Sequence, residues 1–125
     1  MAQGGRKLKV VLIGGSGYAG FEAIRIIQRH PAATLVGVYG PANELGPMDK
    51  FYPLLSKQLG LSQELFDPAR VAATGADVAL LCVPHKVAMS YVPQLRKAGL
   101  RVIDWSADYR LKDPAEYEKW YGHRH

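Results

Sequence analysis

The chain has 125 residues, of which 48% are hydrophobic and 22% charged, with a formal net charge of +5. That size makes one domain with a real core, and no apolar run approaches the roughly 20 residues a bilayer-spanning helix needs. A single cysteine excludes an intramolecular disulfide and fits a reducing compartment, so a cytoplasmic location is expected. The basic residues are scattered rather than striped with aromatics, so neither nucleic acid nor a membrane is an expected partner. Residues 1–7 are expected to be a disordered tail, too short for a signal peptide, ahead of a domain over 8–125.

Leu8 to Ile13 is nearly continuous in apolar and β-branched residues and predicts a buried parallel strand. A helix should open near Gly17 or Tyr18 and run to about Arg29. Ala19, Ala23, Ile26 and Ile27 would form its inward face, with Phe21 and Ile24 widening it. Pro31 stops it, and Thr34 to Tyr39 predicts a second strand, completing a right-handed βαβ unit. From Gly40 to Gly60 the pattern breaks into a Pro- and Gly-punctuated loop, with at most a short helix carrying Leu54, Leu55 and Leu59.

Asp77 to Val83 predicts the next strand. Lys86 to Lys97 is helical in pattern but contains Pro93, so it is either two short helices or one kinked helix. Gly99 precedes a strand over Leu100 to Asp104. Asp113-Pro114-Ala115-Glu116 then has the layout of a helix start, with Asp113 as cap and Glu116 reaching back to the cap amide. These elements make an open, mostly parallel α/β sheet of the Rossmann type. It is expected to be incomplete at its C-terminal end, as the N-terminal part of a longer protein.

Gly14-Gly15-Ser16-Gly17-Tyr18-Ala19-Gly20 joins the first strand to the first helix, which is the context a dinucleotide-binding turn requires. Gly14 would turn the chain, Gly17 would admit a pyrophosphate, and Gly20 would let the helix sit close on the sheet. Free N–H groups at the helix start would meet the phosphates. Gly14 to Gly17, Gly40 to Asn43, Val83 to His85 and Asp104 to Arg110 should all reach the same sheet edge, where such folds bind ligands.

No Asp or Glu closes the second strand, which removes a group that would repel the extra phosphate of NADP. NADP is therefore the expected cofactor, unless Asn43 or Glu44 reaches the ribose instead. Cys82 lies within Leu80-Leu81-Cys82-Val83 and reads as a packing residue rather than a nucleophile. Arg110, with the Ser106 hydroxyl near it, suits a substrate phosphate; the alternative is an ion pair with Asp104 or Asp108. The four histidines do not make a metal site, and none is expected. Trp105, Trp120, Tyr117 and Tyr121 suit a docking surface, although Trp105 could also wall the pocket.

The glycine turn, Val83-Pro84-His85, the run Val102-Ile103-Asp104-Trp105-Ser106-Ala107-Asp108-Tyr109-Arg110-Leu111-Lys112-Asp113-Pro114 and the segment Tyr117-Glu118-Lys119-Trp120-Tyr121-Gly122 carry a resemblance. They resemble the N-terminal region of the N-acetyl-gamma-glutamyl-phosphate reductases, relatives of aspartate-semialdehyde dehydrogenase. The resemblance implies reduction of an acyl phosphate to an aldehyde by NADPH, through a cysteine thioester, in arginine biosynthesis. It implies that Gly14, Ser16, Gly17, Tyr18 and Ala19 surround the cofactor phosphates and that Pro84 and His85 lie beside the cofactor. Arg110 would approach the substrate phosphate. It places the catalytic cysteine and the base histidine beyond residue 125, so no catalytic residue is expected in this chain and the chain alone should be inactive. A homo-oligomer through the absent C-terminal domain is likewise implied. The chain departs from the family at Gly40-Pro41, where relatives commonly carry a serine and an arginine suited to the 2′-phosphate. Aspartate-semialdehyde and aminoadipyl-phosphate enzymes are alternatives within the class, and a stand-alone nucleotide-binding module is the alternative outside it.

Overall fold

A computed structural model describes residues 5–53 and 60–125. Leu8–Ile13 forms β1, whose last four residues are buried, as an apolar central strand demands. The chain turns through Gly14 to Gly17 into α1, Tyr18–Arg29, and returns as β2, Ala33–Gly40. A two-residue β3, Gly46–Pro47, and one helical turn, α2, Met48–Phe51, follow. Next come β4, Ser62–Leu65, and α3, Pro68–Ala73. The chain closes with β5, Val78–Leu81; α4, Ala88–Lys97; β6, Arg101–Asp104; and α5, Pro114–Tyr121.

The six strands lie in the order β3-β4-β2-β1-β5-β6, and every neighbouring pair is parallel except β3 with β4. This is the open Rossmann-type sheet expected from the sequence. Alternation along β1 divides the core between its faces. Val10 and Leu12 pack with Ala23, Ile24 and Ile27 of α1, whereas Val11 and Ile13 pack with Val71 of α3 and Leu95 of α4.

The inward face of α1 differs from the expectation. Its buried residues are Gly20, Ala23, Ile24 and Ile27, while Ala19 is exposed and Ile26 is 60% exposed. Positions 20, 23, 24 and 27 lie along one stripe of a 3.6-residue helix; Ile26 stands about 100° around from Ile27 and falls outside it.

The Gly40 to Gly60 segment expected to be loop contributes β3, the sheet edge, antiparallel to β4; β4 lies beyond that segment and is a further strand, not among those expected. β4 pairs with β2 through Val38–Gln63, Tyr39–Glu64 and Gly40–Leu65, and α3 follows it. The expected helix over Leu54, Leu55 and Leu59 lies outside the described residues. α3 starts like α5: Asp67 caps the Ala69 N–H and Asp113 caps the Ala115 N–H, each followed by proline. Glu116 does not reach back to the cap; its carboxylate accepts from Trp120 Nε1 at 3.2 Å.

α4 is one helix with Pro93 inside it. Proline removes the amide that would bond the Met89 carbonyl four residues back. The Tyr109 hydroxyl donates to that carbonyl instead, at 3.5 Å. Ahead of β1, Arg6 grips Asp77 with two bonds of 2.6 and 3.1 Å. The pairing, together with the Lys9 N–H, holds Asp77 below the usual carboxylate range. Residues 1–4 of the expected tail lie outside the described residues. No helix among the described residues is long and apolar enough to cross a membrane.

Candidate functional site

From β1 the chain builds outward through β2 to β4 and β3, then returns to lay β5 on the other side of β1. That reversal opens a crevice at the carboxyl ends of β1 and β5, where ligands of open α/β sheets bind. A cavity of about 520 Å³ lies there, walled by Gly14 and Ser16 to Ala19 from one side and by Cys82 to Pro84 with Val87 from the other. Its size falls within the range of small-molecule sites.

The glycines of the turn have separate reasons. Gly14 has φ +94°, and a Cβ there would collide with the Cys82 carbonyl oxygen. A Cβ on Gly20 would collide with the Gly14 carbonyl oxygen, so this glycine lets α1 press onto the turn. Gly17 differs: among the described residues no heavy atom lies within 4 Å of where its Cβ would stand. No neighbour among the described residues requires glycine at 17. It is the N-cap of α1 with no side-chain cap, so the helix start leaves its amides to an anion and Gly17 leaves the approach clear. The turn therefore fits a pyrophosphate.

Of the residues expected at the cofactor, Gly14, Ser16, Gly17, Tyr18, Ala19 and Pro84 line this cavity. His85 does not. Its Nδ1 accepts the Ala107 N–H at 3.1 Å, and its ring leans on Tyr121 with centroids 5.4 Å apart. Val87, Tyr91 and Trp105 add apolar and aromatic wall.

Glu44 is the wall residue with the most to say. The Ser16 hydroxyl donates to Glu44 Oε2 at 2.6 Å, and the Glu44 N–H donates to the Pro41 carbonyl at 3.0 Å. Buried Gln63 donates through Nε2 to the Glu44 carbonyl at 2.7 Å, and the Tyr52 hydroxyl donates to the Ser16 carbonyl at 2.5 Å. The loop after β2 is thereby tied to the glycine turn. Cys82 also faces the cavity, and burial pushes its thiol up to about 12, so it stays protonated at neutral pH.

The segment after β6 is knotted rather than open. Ser106 is buried; its N–H and hydroxyl both donate to Asp104, at 2.8 and 3.1 Å, and its oxygen accepts the Asp108 N–H at 3.2 Å. The hydroxyl expected to serve a substrate phosphate is thus spent inside the turn. Asp108, fully buried, accepts from the N–H groups of Lys86 and Met89 and from the Tyr117 hydroxyl. Burial alone would raise its pKa, but these three donors outweigh it and hold the carboxyl below its usual range. Burial and the bond to Asp108 push the Tyr117 hydroxyl up to about 12.

Arg110 makes no ion pair with Asp104 or Asp108. Its guanidinium reaches the Tyr121 hydroxyl and the carbonyls of Trp105 and Ser106, all at 3.4 Å, and the side chain is exposed. Tyr117 belongs to the core rather than to a docking surface, while Trp120 is 69% exposed. No cluster of three or more His, Cys, Asp or Glu among the described residues is placed to hold a metal.

The NAD-binding domain of semialdehyde dehydrogenases, as a sequence family, matches residues 9–121. The chain belongs to that family. It is similar to N-acetyl-gamma-glutamyl-phosphate reductase of Syntrophobacter fumaroxidans, 45% identical over 114 residues, covering 91% of this chain and 33% of that protein. It is similar also to the reductase of the same name from Rhodopirellula baltica, 40% identical over 118 residues, 94% of this chain and 34% of that protein. The chain thus spans about a third of the length of these relatives, 33% and 34%. Among solved structures it resembles aspartate semialdehyde dehydrogenase with NADP from Candida albicans, with a TM-score of 0.72 and 17% identity, covering 86% of this chain and 32% of that one. At that identity the likeness concerns the fold. Membership of this family agrees with an NAD(P)-binding Rossmann fold.

Proposed function

We propose that these residues form the dinucleotide-binding part of a reductase that converts an N-acetylated glutamyl phosphate to its semialdehyde. The observation that carries the reading is the uncapped start of α1 beside an unobstructed Gly17, in a cavity between β1 and β5. The reductase names of the relatives supply the reaction class. A bound nicotinamide dinucleotide would supply the hydride. This chain's own residues would hold and orient it: the turn Gly14 to Ala19 the phosphates, and Pro84, Val87, Tyr91 and Trp105 a dry wall that keeps water from the rings.

Acyl transfer from phosphate needs a thiolate, and the pKa of about 12 for Cys82 makes it unfit for that step. The nucleophile is therefore assigned to residues outside these 125, and the chain alone is expected to bind dinucleotide without turnover. Arg110, exposed and without a carboxylate partner, is the residue here suited to the substrate phosphate. The soluble reaction partner is a small acyl phosphate, and assembly into homo-oligomers would use the rest of the protein. The expectation of NADP rests on β2 ending without a carboxylate and on the family resemblance; Glu44 brings a carboxylate to the cavity from four residues further on.

The test is a chimera in which this chain replaces the matching third of the Syntrophobacter fumaroxidans reductase. Phosphate-dependent reduction of NAD or NADP by N-acetyl-glutamate semialdehyde is the readout. Retained activity supports the reading. A folded chimera that binds dinucleotide but is inert towards this semialdehyde, and active with aspartate semialdehyde, would move the substrate.

A further inference from the structure

Glu44 is the one charged side chain among the described residues lining the cavity; no lysine, arginine or histidine joins it there. Its place is not accidental to the packing. The backbone is pinned at both ends of the residue, by the bond to the Pro41 carbonyl and by the bond from Gln63. Gln63 is 1% exposed and sits against Gly40, where any Cβ would collide with its side-chain amide. The carboxylate thus stands over the end of β2 with Oε2 held by Ser16 of the phosphate turn; Oε1, with no bonded partner among the described residues, faces a ligand.

That position, between the phosphate turn and the end of β2, is where the ribose nearest the adenine lies in dinucleotide-binding Rossmann folds. A carboxylate there accepts from the ribose hydroxyls of NAD. It repels a 2′-phosphate, which carries nearly two negative charges at neutral pH and needs cations beside it. Among the described residues, the two candidate cations on this side of the sheet, Lys50 and Arg70, are turned elsewhere. Lys50 Nζ donates to the Leu45 carbonyl at 3.3 Å, and Arg70 lies in a separate hollow with Glu64 and Asp67. Gly40 and Pro41 offer no side-chain donor at all.

We propose that Glu44 makes this site select NAD(H) over NADP(H), by accepting from the adenosine ribose and excluding a 2′-phosphate. The inference rests on the dinucleotide-binding reading above. It adds a specificity-determining residue that the strand-end position alone does not reveal, because the carboxylate comes from the loop beyond the strand.

The experiment is binding to the 125-residue chain, followed by nicotinamide fluorescence for NADH and NADPH and by calorimetry for ADP and 2′,5′-ADP. NADH and ADP should bind about tenfold or more tightly than their 2′-phosphorylated counterparts, the worth of one charge-assisted hydrogen bond. Glu44→Gln preserves shape and the Ser16 contact but removes the charge. It should narrow the ratio, chiefly by strengthening NADPH and 2′,5′-ADP. Equal binding of both dinucleotides by the unaltered chain, or preference for NADPH, overturns the selectivity while leaving the binding site standing. An unchanged ratio in Glu44→Gln overturns the assignment to Glu44. Failure of all four ligands to bind the folded chain overturns both this inference and the reading on which it rests.

Discussion

The Asp108 carboxylate accepts the backbone N–H of Lys86 at 2.7 Å, and Lys86, with φ +81°, is the one non-glycine residue with positive φ among those described. A lysine in that region is strained by roughly 1–2 kcal/mol, so something must hold it. Asp108 does so. It draws the loop after β5 and the start of α4 onto the segment after β6, joining two walls of the ligand edge.

Asp108→Asn should therefore cost more than one ordinary hydrogen bond. The amide can still accept at its oxygen, but its NH₂ would face N–H and O–H donors in a buried place. A loss of about 2–3 kcal/mol is expected, read as a shift in the urea midpoint with the slope unchanged. Wild-type slope with no midpoint shift would show that the three bonds are dispensable. Lys86→Gly should be tolerated, whereas a β-branched Lys86→Val should destabilise by about 1–2 kcal/mol.

The same carboxyl sets an acid limit. Because its folded pKa lies below the ordinary value near 3.9, the unfolded chain binds the proton more readily between the two values. The stabilisation is complete above about pH 4 and is lost as pH falls through the lower folded value. Thermal unfolding from pH 7 to pH 2.5 should show this fall, and Asp108→Asn should flatten it. An equally steep acid loss in the variant would assign it to other carboxylates, Asp77 first among them.

The three glycines of the turn separate folding from binding. Gly14→Ala and Gly20→Ala should destabilise the fold by about 1–3 kcal/mol each, since each Cβ meets a backbone carbonyl oxygen. Gly17→Ala should leave stability within about 0.5 kcal/mol but weaken dinucleotide binding, because the new methyl enters space that is empty of protein. Undiminished binding in Gly17→Ala would mean the phosphates approach elsewhere.

Cys82 should be inert. With its pKa at about 12, alkylation by iodoacetamide at pH 8 should run roughly a hundredfold or more slower in the folded chain than in urea. Comparable rates would reopen Cys82 as a nucleophile.

Arg110→Lys in the chimera keeps the charge and loses the planar pair of donors. Phosphate-dependent activity should fall by the equivalent of about 1.5–3 kcal/mol while dinucleotide affinity stays unchanged. An unaltered dependence on phosphate would leave Arg110 with the carbonyls of Trp105 and Ser106, which it already reaches at 3.4 Å.

The sequence by itself determined what short-range chemistry can settle. The apolar run of β1, the glycines that follow and the periodicity of α1 are legible because backbone freedom and side-chain alternation act within a few residues. Asp67-Pro68 carries the same local signal as Asp113-Pro114, a capping carboxylate followed by proline, yet α3 is not among the expected helices. β4 was not legible: Ser62–Leu65 has one buried residue, Gln63, and becomes a strand because β2 offers it an edge. What only the tertiary structure decided are the long-range pairings. Glu44 meets Ser16 across 28 positions, and Asp108 meets Lys86 across 22. Such contacts depend on which strand lies beside β1, and strand order is set by burial of both sheet faces at once rather than by any local preference.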